Sequence, residues 1–191
     1  ESGIIKFGTT NTERLRIDDV GRTLIGHTGS LSEGCLLQVA RTNDNTVELF
    51  GYSANTNGAR ITFTKSRNGT IGINTIVQDG DSLGQLHFRG ADGSGYIRGA
   101  TITAAVDGVV GVNSMPGRLV FSTTAVGASS QTERLRINSS GQTLINQTAA
   151  LDSAVMLGVK NPTSNDTVVD VVCGNTSAGS HIAFSDDAYE I

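Results

Sequence analysis

Apolar and polar residues alternate with a period of two along short stretches of this chain. Leu15 and Ile17 fall on one side of an extended segment, Arg14 and Arg16 on the other. Leu135 and Ile137 stand in the same relation to Arg134 and Arg136. Leu86 and Phe88 alternate with Gln85, His87 and Arg89, Leu119 and Phe121 with Arg118 and Val120, and Ile61 and Phe63 with Arg60 and Thr62. No uninterrupted segment of normal length carries a helical period. Asp18-Asp19-Val20-Gly21 and Asn138-Ser139-Ser140-Gly141 supply turn residues, each closing on a glycine that tolerates positive φ. Thr23-Leu24-Ile25 and Thr143-Leu144-Ile145 then return. The pattern predicts hairpins in an all-β fold.

The chain also repeats itself. Thr12-Glu13-Arg14-Leu15-Arg16-Ile17 recurs as Thr132-Glu133-Arg134-Leu135-Arg136-Ile137. The match runs on through Gly21, Thr23, Leu24 and Ile25 against Gly141, Thr143, Leu144 and Ile145, then Thr28, Leu31, Leu37 and Val39 against Thr148, Leu151, Leu157 and Val159. With a one-residue shift, Thr46, Val47, Gly58, Ile61 and Phe63 face Thr167, Val168, Gly179, Ile182 and Phe184. Phe7 and Thr9-Thr10 match Phe121 and Thr123-Thr124, the second copy carrying a longer loop from Ala125 to Ser130. The period is too long for one solenoid turn, so each copy is a module of several strands. Residues 1–70 form a partial first β module, 71–131 a middle β segment present once, and 132–191 a partial second module equivalent to 12–70. A piece of a longer array is expected.

Composition changes the picture. There are 24 Gly, no Trp and only 5% aromatic residues, so one copy alone has little with which to build a core. Hairpins with one apolar face and open edges are marginal in isolation. Wrapping several copies around a common axis supplies both the missing core and the missing edge partners. The net charge of −4 argues against nucleic acid as a main partner, and no apolar run reaches membrane-spanning length. Cys35 and Cys173 fall at non-equivalent positions, which predicts free, inert thiols and no zinc site.

The run Pro116-Gly117-Arg118-Leu119-Val120-Phe121-Ser122-Thr123-Thr124, followed after a loop by Glu133-Arg134-Leu135-Arg136-Ile137 and Ser140-Gly141, resembles a module of bacteriophage tail-fibre and virion structural proteins. The stretch Asp79-Gly80-Asp81-Ser82-Leu83-Gly84, then Phe88, Gly90, Asp92-Gly93 and Ala100, looks like the spacing ahead of that module, and Phe7 to Gly26 fits it too. The resemblance implies a homotrimeric fibre or spike shaft of interleaved short strands. It implies a place in the virion tail, with assembly in the cytoplasm of the bacterial host. Other tail proteins and a host cell-surface glycan or protein are the implied partners. Asn146 departs from the module, where a glycine follows the isoleucine, and this puts a tight backbone approach there in question. Rival readings are a polysaccharide-degrading tailspike and a bacterial surface adhesin.

Candidate chemistry is sparse. Gly80-Asp81-Ser82-Leu83-Gly84 resembles the nucleophile block of the GDSL esterases. That family needs Asp-x-x-His late in the chain, and Ala178 precedes His181 while Gly84 precedes His87. A turn between strands is expected, and no enzyme. Asp79, Asp81 and Asp92 form a loose acidic group, but Leu83 sits where an EF-hand needs an oxygen. His27, His87 and His181 are isolated. Gly90, Gly93, Gly95 and Gly99 fail the dinucleotide pattern at Arg98 and are expected in turns. Asn68-Gly69-Thr70 and Asn165-Asp166-Thr167 are glycosylation triplets of the kind this composition yields by chance. Arg14, Arg16, Arg134 and Arg136, beside Glu13 and Glu133, predict ion pairs between neighbouring strands or chains. The sequence nominates no catalytic, cofactor-binding or metal-ligating residue, and it leaves any receptor-binding face unassigned.

Overall fold

The computed structural model of the chain describes residues 3–32, 34–42, 47–149 and 156–159. Every regular element among them is a β-strand, so the fold class is all-β, and no helix is long and apolar enough to cross a membrane. The chain divides into two units, Glu1–Thr62 and Phe63–Ile191.

The first unit carries a four-stranded sheet of β1 (Ile5–Thr9), β2 (Thr12–Ile17), β3 (Thr23–Ile25) and β4 (Leu37–Val39), in that order. Thr10 and Asn11 join β1 to β2 with φ of 51° and 60°, the paired left-handed conformation that matches strand twist in a two-residue hairpin. β2 and β3 are antiparallel, as the hairpin pattern predicts. β4 then runs parallel to β3, reached by a crossover. A parallel pair has no hairpin turn between its strands, so this pairing leaves no mark on the sequence pattern.

The second unit carries β5 (Ser82–Ala91), β6 (Tyr96–Val106), β7 (Gly117–Thr124), β8 (Gln131–Ile137), β9 (Thr143–Ile145) and β10 (Leu157–Val159). They form a six-stranded sheet in the order β10-β9-β8-β7-β6-β5, an antiparallel meander except for the parallel β9–β10 pair. The longer loop from Ala125 to Ser130 replaces the tight turn between β7 and β8.

Two expectations need correction. The alternation at Arg60–Phe63 predicts a strand, but these residues form no ladder with any described residue. Alternation marks a segment able to pair; a strand also needs a partner edge. Gly90 and Gly99 lie within β5 and β6, not in turns. Gly90 pairs with Ile97, whereas Gly99 is skipped by the register where Phe88 pairs with Ala100 and Arg89 with Arg98. It is therefore a bulge residue, a position where glycine's missing side chain is tolerated in a strand. The equivalences from Thr167 to Phe184 lie outside the described residues.

Cross-strand registers place the apolar residues in rows. Phe7, Leu15, Ile25 and Val39 lie opposite one another across the four-stranded sheet. Leu86, Ile102, Phe121, Leu135, Ile145 and Val159 do the same across all six strands of the other. Directly opposed side chains share a face, so each row is a continuous apolar ribbon. The other face carries Lys6, Arg16, Leu24 and Gln38 in the first sheet, and Gln85, Thr103, Val120, Arg136 and Leu144 in the second.

The core that exists lies mainly under these second faces. Leu24 and Leu144 are 1% and 0% exposed. Gln38, beside Leu24, is buried and binds the crossover: its Oε1 accepts the Leu31 N–H at 2.9 Å, and its Nε2 donates to the Ser32 carbonyl at 2.7 Å and to the Ser30 hydroxyl at 3.1 Å. The crossover therefore folds over the Leu24 face. Among the described residues the only other buried apolar side chains are Val77, Ala105 and Val106.

Candidate functional site

The duplicated Glu-Arg-Leu-Arg segment meets its neighbours in one way in both units. Phe7 pairs with Leu15 but Gly8 with Glu13, which leaves Arg14 as an extra residue. Phe121 pairs with Leu135 but Ser122 with Glu133, which leaves Arg134 extra. Each bulge reverses the side to which residues before it point. Glu13 thus shares a face with Arg16, and Glu133 with Arg136, although residues three apart on a regular strand face opposite ways. Arg16 donates to Glu13 through Nε and, at 2.8 Å, through Nη2. Arg136 donates to Glu133 at 2.5 and 2.8 Å, and through Nη1 to the Thr148 carbonyl at 2.8 Å. The Arg16 hydrogen bond holds Glu13 below its ordinary value, and the Glu133 hydrogen bond raises Arg136.

These pairs correct the expectation of bridges between neighbouring strands: they run along one strand, across its bulge. Strand-to-strand work falls to the bulged arginines. Arg14 Nε donates to the Thr9 hydroxyl at 3.1 Å and Arg134 Nε to that of Thr123 at 3.2 Å. Their carbonyls accept the N–H of Gly26 and Asn146 at 2.9 and 2.8 Å. Asn146 takes φ of +55° where Gly26 takes +80°, so asparagine meets the left-handed requirement in the second copy.

The turns after the duplicated strand are pinned by different chemistry in one geometry. Asp18 Oδ1 accepts the N–H groups of Val20 and Arg22, and Asn138 Oδ1 those of Ser140 and Gln142. In the first copy Arg22 Nε donates to Asp18 Oδ2 at 2.7 Å; in the second Asn138 Nδ2 donates to Gln142 Oε1 at 2.7 Å. An ion pair in one is a neutral amide pair in the other. Burial works against the Asp18 charge, but the Arg22 N–H and guanidinium and the Val20 N–H outweigh it and leave its pKa lowered.

Asp107 ties three segments together. It accepts Arg118 Nη1 at 2.9 Å and the Ser139 N–H at 2.8 Å, while Asp79 accepts the Gly108 N–H at 2.9 Å. Burial opposes the Asp107 charge as well, and the Ser139 and Arg118 hydrogen bonds more than offset it.

The most extensive candidate surface is the pair of ribbons. Phe7 is 56% exposed and Leu86 46%, and the other ribbon residues are half-buried. In the second unit Phe63 lies against the ribbon face at Gly84, where a side-chain carbon would stand 2.6 Å from Phe63 Cβ. An apolar hollow of about 320 Å³ remains there, lined by Phe63, Leu86, Ile102, Ala104 and Leu119. Exposed apolar residues also run through the unpaired segment, at Val47, Leu49, Phe50, Tyr52 and Ile61.

The other sequence candidates are placed as follows. Ser82 opens strand β5, so a strand follows the serine where a nucleophile elbow requires a helix. No hydrogen bond joins Ser82 to a histidine among the described residues, and His87 bonds Gln85 at 2.8 Å. Asp81 accepts the Gln78 N–H and Arg67 Nε at 2.9 and 2.8 Å, and Asp92 accepts the Ser94 and Gly95 N–H groups at 2.8 and 2.7 Å. The three acids thus serve separate turns, and no three His, Cys, Asp or Glu side chains gather among the described residues. His27 bonds the Gly29 carbonyl at 2.7 Å. Asn68 shapes its own turn by accepting the Thr70 N–H at 2.8 Å. Cys35 is free but exposed, not buried. Cys173, His181 and Asn165-Asp166-Thr167 lie outside the described residues.

Comparison with known proteins gives a class of fold. No protein-family model matches the chain, and no curated protein matches it in sequence. Among solved structures it is similar to the carboxy-terminal domain of the bacteriophage T5 L-shaped tail fibre, with a TM-score of 0.59 at 13% identity over 92% of this chain and 72% of that one. It is also similar to that domain with its intra-molecular chaperone domain, with a TM-score of 0.58 at 13% identity. There it covers 91% of this chain and spans half of the other's length. The all-β fold is therefore one shared with phage tail-fibre domains.

Proposed function

We propose that this chain is a structural module of a bacteriophage tail fibre or spike, with no catalytic role, which completes its core only when three copies associate. The observation that carries this reading is the incompletely covered apolar ribbon of each sheet. A row of apolar side chains such as Phe7, Leu15, Ile25 and Val39, or Leu86, Ile102, Phe121 and Leu135, exposed at Phe7 and Leu86 and only half-buried elsewhere, is a surface that water disfavours. Burying a fully exposed side chain of this kind is worth about 1.5–3 kcal/mol, and finishing the burial of a half-buried one a part of that. The other face of each sheet carries mostly polar side chains around the buried Leu24 and Leu144, so the ribbons are the apolar faces left for partners. The unpaired apolar segment from Val47 to Ile61 suits interleaving with neighbouring copies.

The tail-fibre-like fold supports a location in the virion tail, contacts with other tail proteins and a part in attachment to the host surface. Light scattering coupled to size exclusion tests the assembly. A species of three times 19.8 kDa supports the trimer. A stable monomer of 19.8 kDa at micromolar concentration refutes it.

A further inference from the structure

At the end of the six-stranded sheet where β5 turns into β6, a cleft of about 240 Å³ opens between that hairpin and the loop joining β7 to β8. Arg89, Tyr96 and Arg98 line it from the hairpin, and Ser129, Ser130 and Gln131 from the loop. Arg89 and Arg98 are direct cross-strand partners, so two guanidinium side chains project from one face side by side. Like charges placed directly opposite destabilise a sheet. Yet none of the ion pairs among the described residues includes either arginine. Asp92, in the turn of that hairpin, directs its Oδ1 to the Ser94 N–H, the Gly95 N–H and the Ser94 hydroxyl, not to either arginine. Among the described residues, a chain of net charge −4 thus gives this pair of cations no ion-pair partner.

The cleft is also built. Arg89 Nη2 donates to the Tyr96 carbonyl at 3.1 Å, and its guanidinium stands 5.9 Å from the Tyr96 ring centroid. The Arg98 carbonyl accepts the Thr124 hydroxyl at 2.6 Å, which fastens its backbone to β7. Gln131 is held by its amide nitrogen on the Thr101 hydroxyl. Tyr96 remains 59% exposed.

We propose that this cleft binds an acidic sugar residue of a surface polysaccharide. The carboxylate lies on the Arg89 and Arg98 guanidinium groups, whose planar forks match it two bonds at a time. The apolar face of the sugar ring lies on Tyr96, and the Ser129 and Ser130 hydroxyls complete the hydrogen bonding. The proposal rests on the attachment reading above and names the ligand class and the place.

The test is an array of uronate- and sialate-containing oligosaccharides beside their carboxyl-esterified, neutral counterparts, probed with the labelled chain, and with inorganic phosphate as competitor. Acidic members should be bound and esterified ones not. Arg98→Ala and Tyr96→Ala should each weaken binding at least tenfold. Because Arg98→Ala also removes a like-charge pair, its melting temperature should hold or rise, which separates lost binding from lost folding. Binding of no acidic member, equal binding of esterified members, insensitivity to Arg98→Ala, or displacement by millimolar phosphate each overturns the proposal. Adsorption to bacteria with uronate capsules distinguishes the two readings. Adsorption unchanged by both variants removes this site and leaves attachment standing. Array binding that depends on Arg98, with no adsorption to any cells, leaves the site and removes attachment.

Discussion

Glu13 and Arg16 stand three positions apart on one strand and still meet on one face of the sheet, because the bulge at Arg14 turns Glu13 over. Glu133 and Arg136 repeat the arrangement with side-chain exposures of 20% and 14%. Glu133→Ala leaves the Arg136 guanidinium with two fewer charged hydrogen bonds in a half-buried site. The expected cost is about 1–3 kcal/mol of stability, measured by urea unfolding. Arg134→Ala, at the bulge itself, removes a single bond to a hydroxyl and should cost about 0.5–1.5 kcal/mol.

Acid should loosen the fold through the same carboxylates. Glu13, Asp18, Asp81, Asp92 and Asp107 all have lowered pKa values in the folded chain. A carboxylate that is easier to ionise when folded stabilises the fold fully above its ordinary value. That contribution disappears as pH falls through the lower, folded-state value. The urea midpoint should therefore be flat from neutral pH to about 5 and fall below the ordinary 4.5 of glutamate and 3.8 of aspartate. Asp107→Asn should make that fall shallower.

Gly26 and Gly21 both take positive φ, but only Gly26 is enclosed. A side-chain carbon at Gly26 would stand 2.2 Å from the Ala40 carbonyl oxygen, whereas at Gly21 nothing lies within 4 Å. Gly21→Ala should cost about 1 kcal/mol, the backbone penalty alone. Gly26→Ala should cost clearly more, because β3 and the residue after β4 must separate. Thermal melts of the two variants compare them directly.

Leu144 is buried by the chain itself, whereas Leu135 lies on the apolar ribbon that the proposed association would cover. Leu144→Ala removes a fully buried side chain and should cost about 2–5 kcal/mol. Leu135→Asp places a charge on the ribbon and should dissociate the proposed trimer, seen as a drop in mass by light scattering. A trimer that survives Leu135→Asp would place the shared core elsewhere.

The hairpins and their turns were legible because alternation, then Asx and glycine, then alternation again leaves a local signal. Leu15, Ile17, Leu135 and Ile137 fell on the face predicted for them. Glu13 did not, because an extra residue in a strand is invisible until the partner strand is known. β4 and β10 were missed because each pairs in parallel with its neighbour, so no hairpin turn beside it announces the return. Gly84 gave no hint that it seats Phe63, since the space left by an absent side chain is defined by the neighbour that fills it. The Arg89–Arg98 cleft was missed because two arginines nine positions apart become neighbours only through the register of β5 on β6.

The bulges also act as a check on folding errors. A chain carrying the same six-residue strand twice has many nearly equivalent ways to pair. A slip of one residue exposes the wrong face and is rejected at once. A slip of two keeps the faces correct, and alternation alone cannot detect it. It does, however, carry the extra arginine past the place where Gly26 or Asn146 donates to its carbonyl, and sets the threonine hydroxyl out of reach. Both near-identical copies thus carry a mark of position that a strictly regular strand would lack.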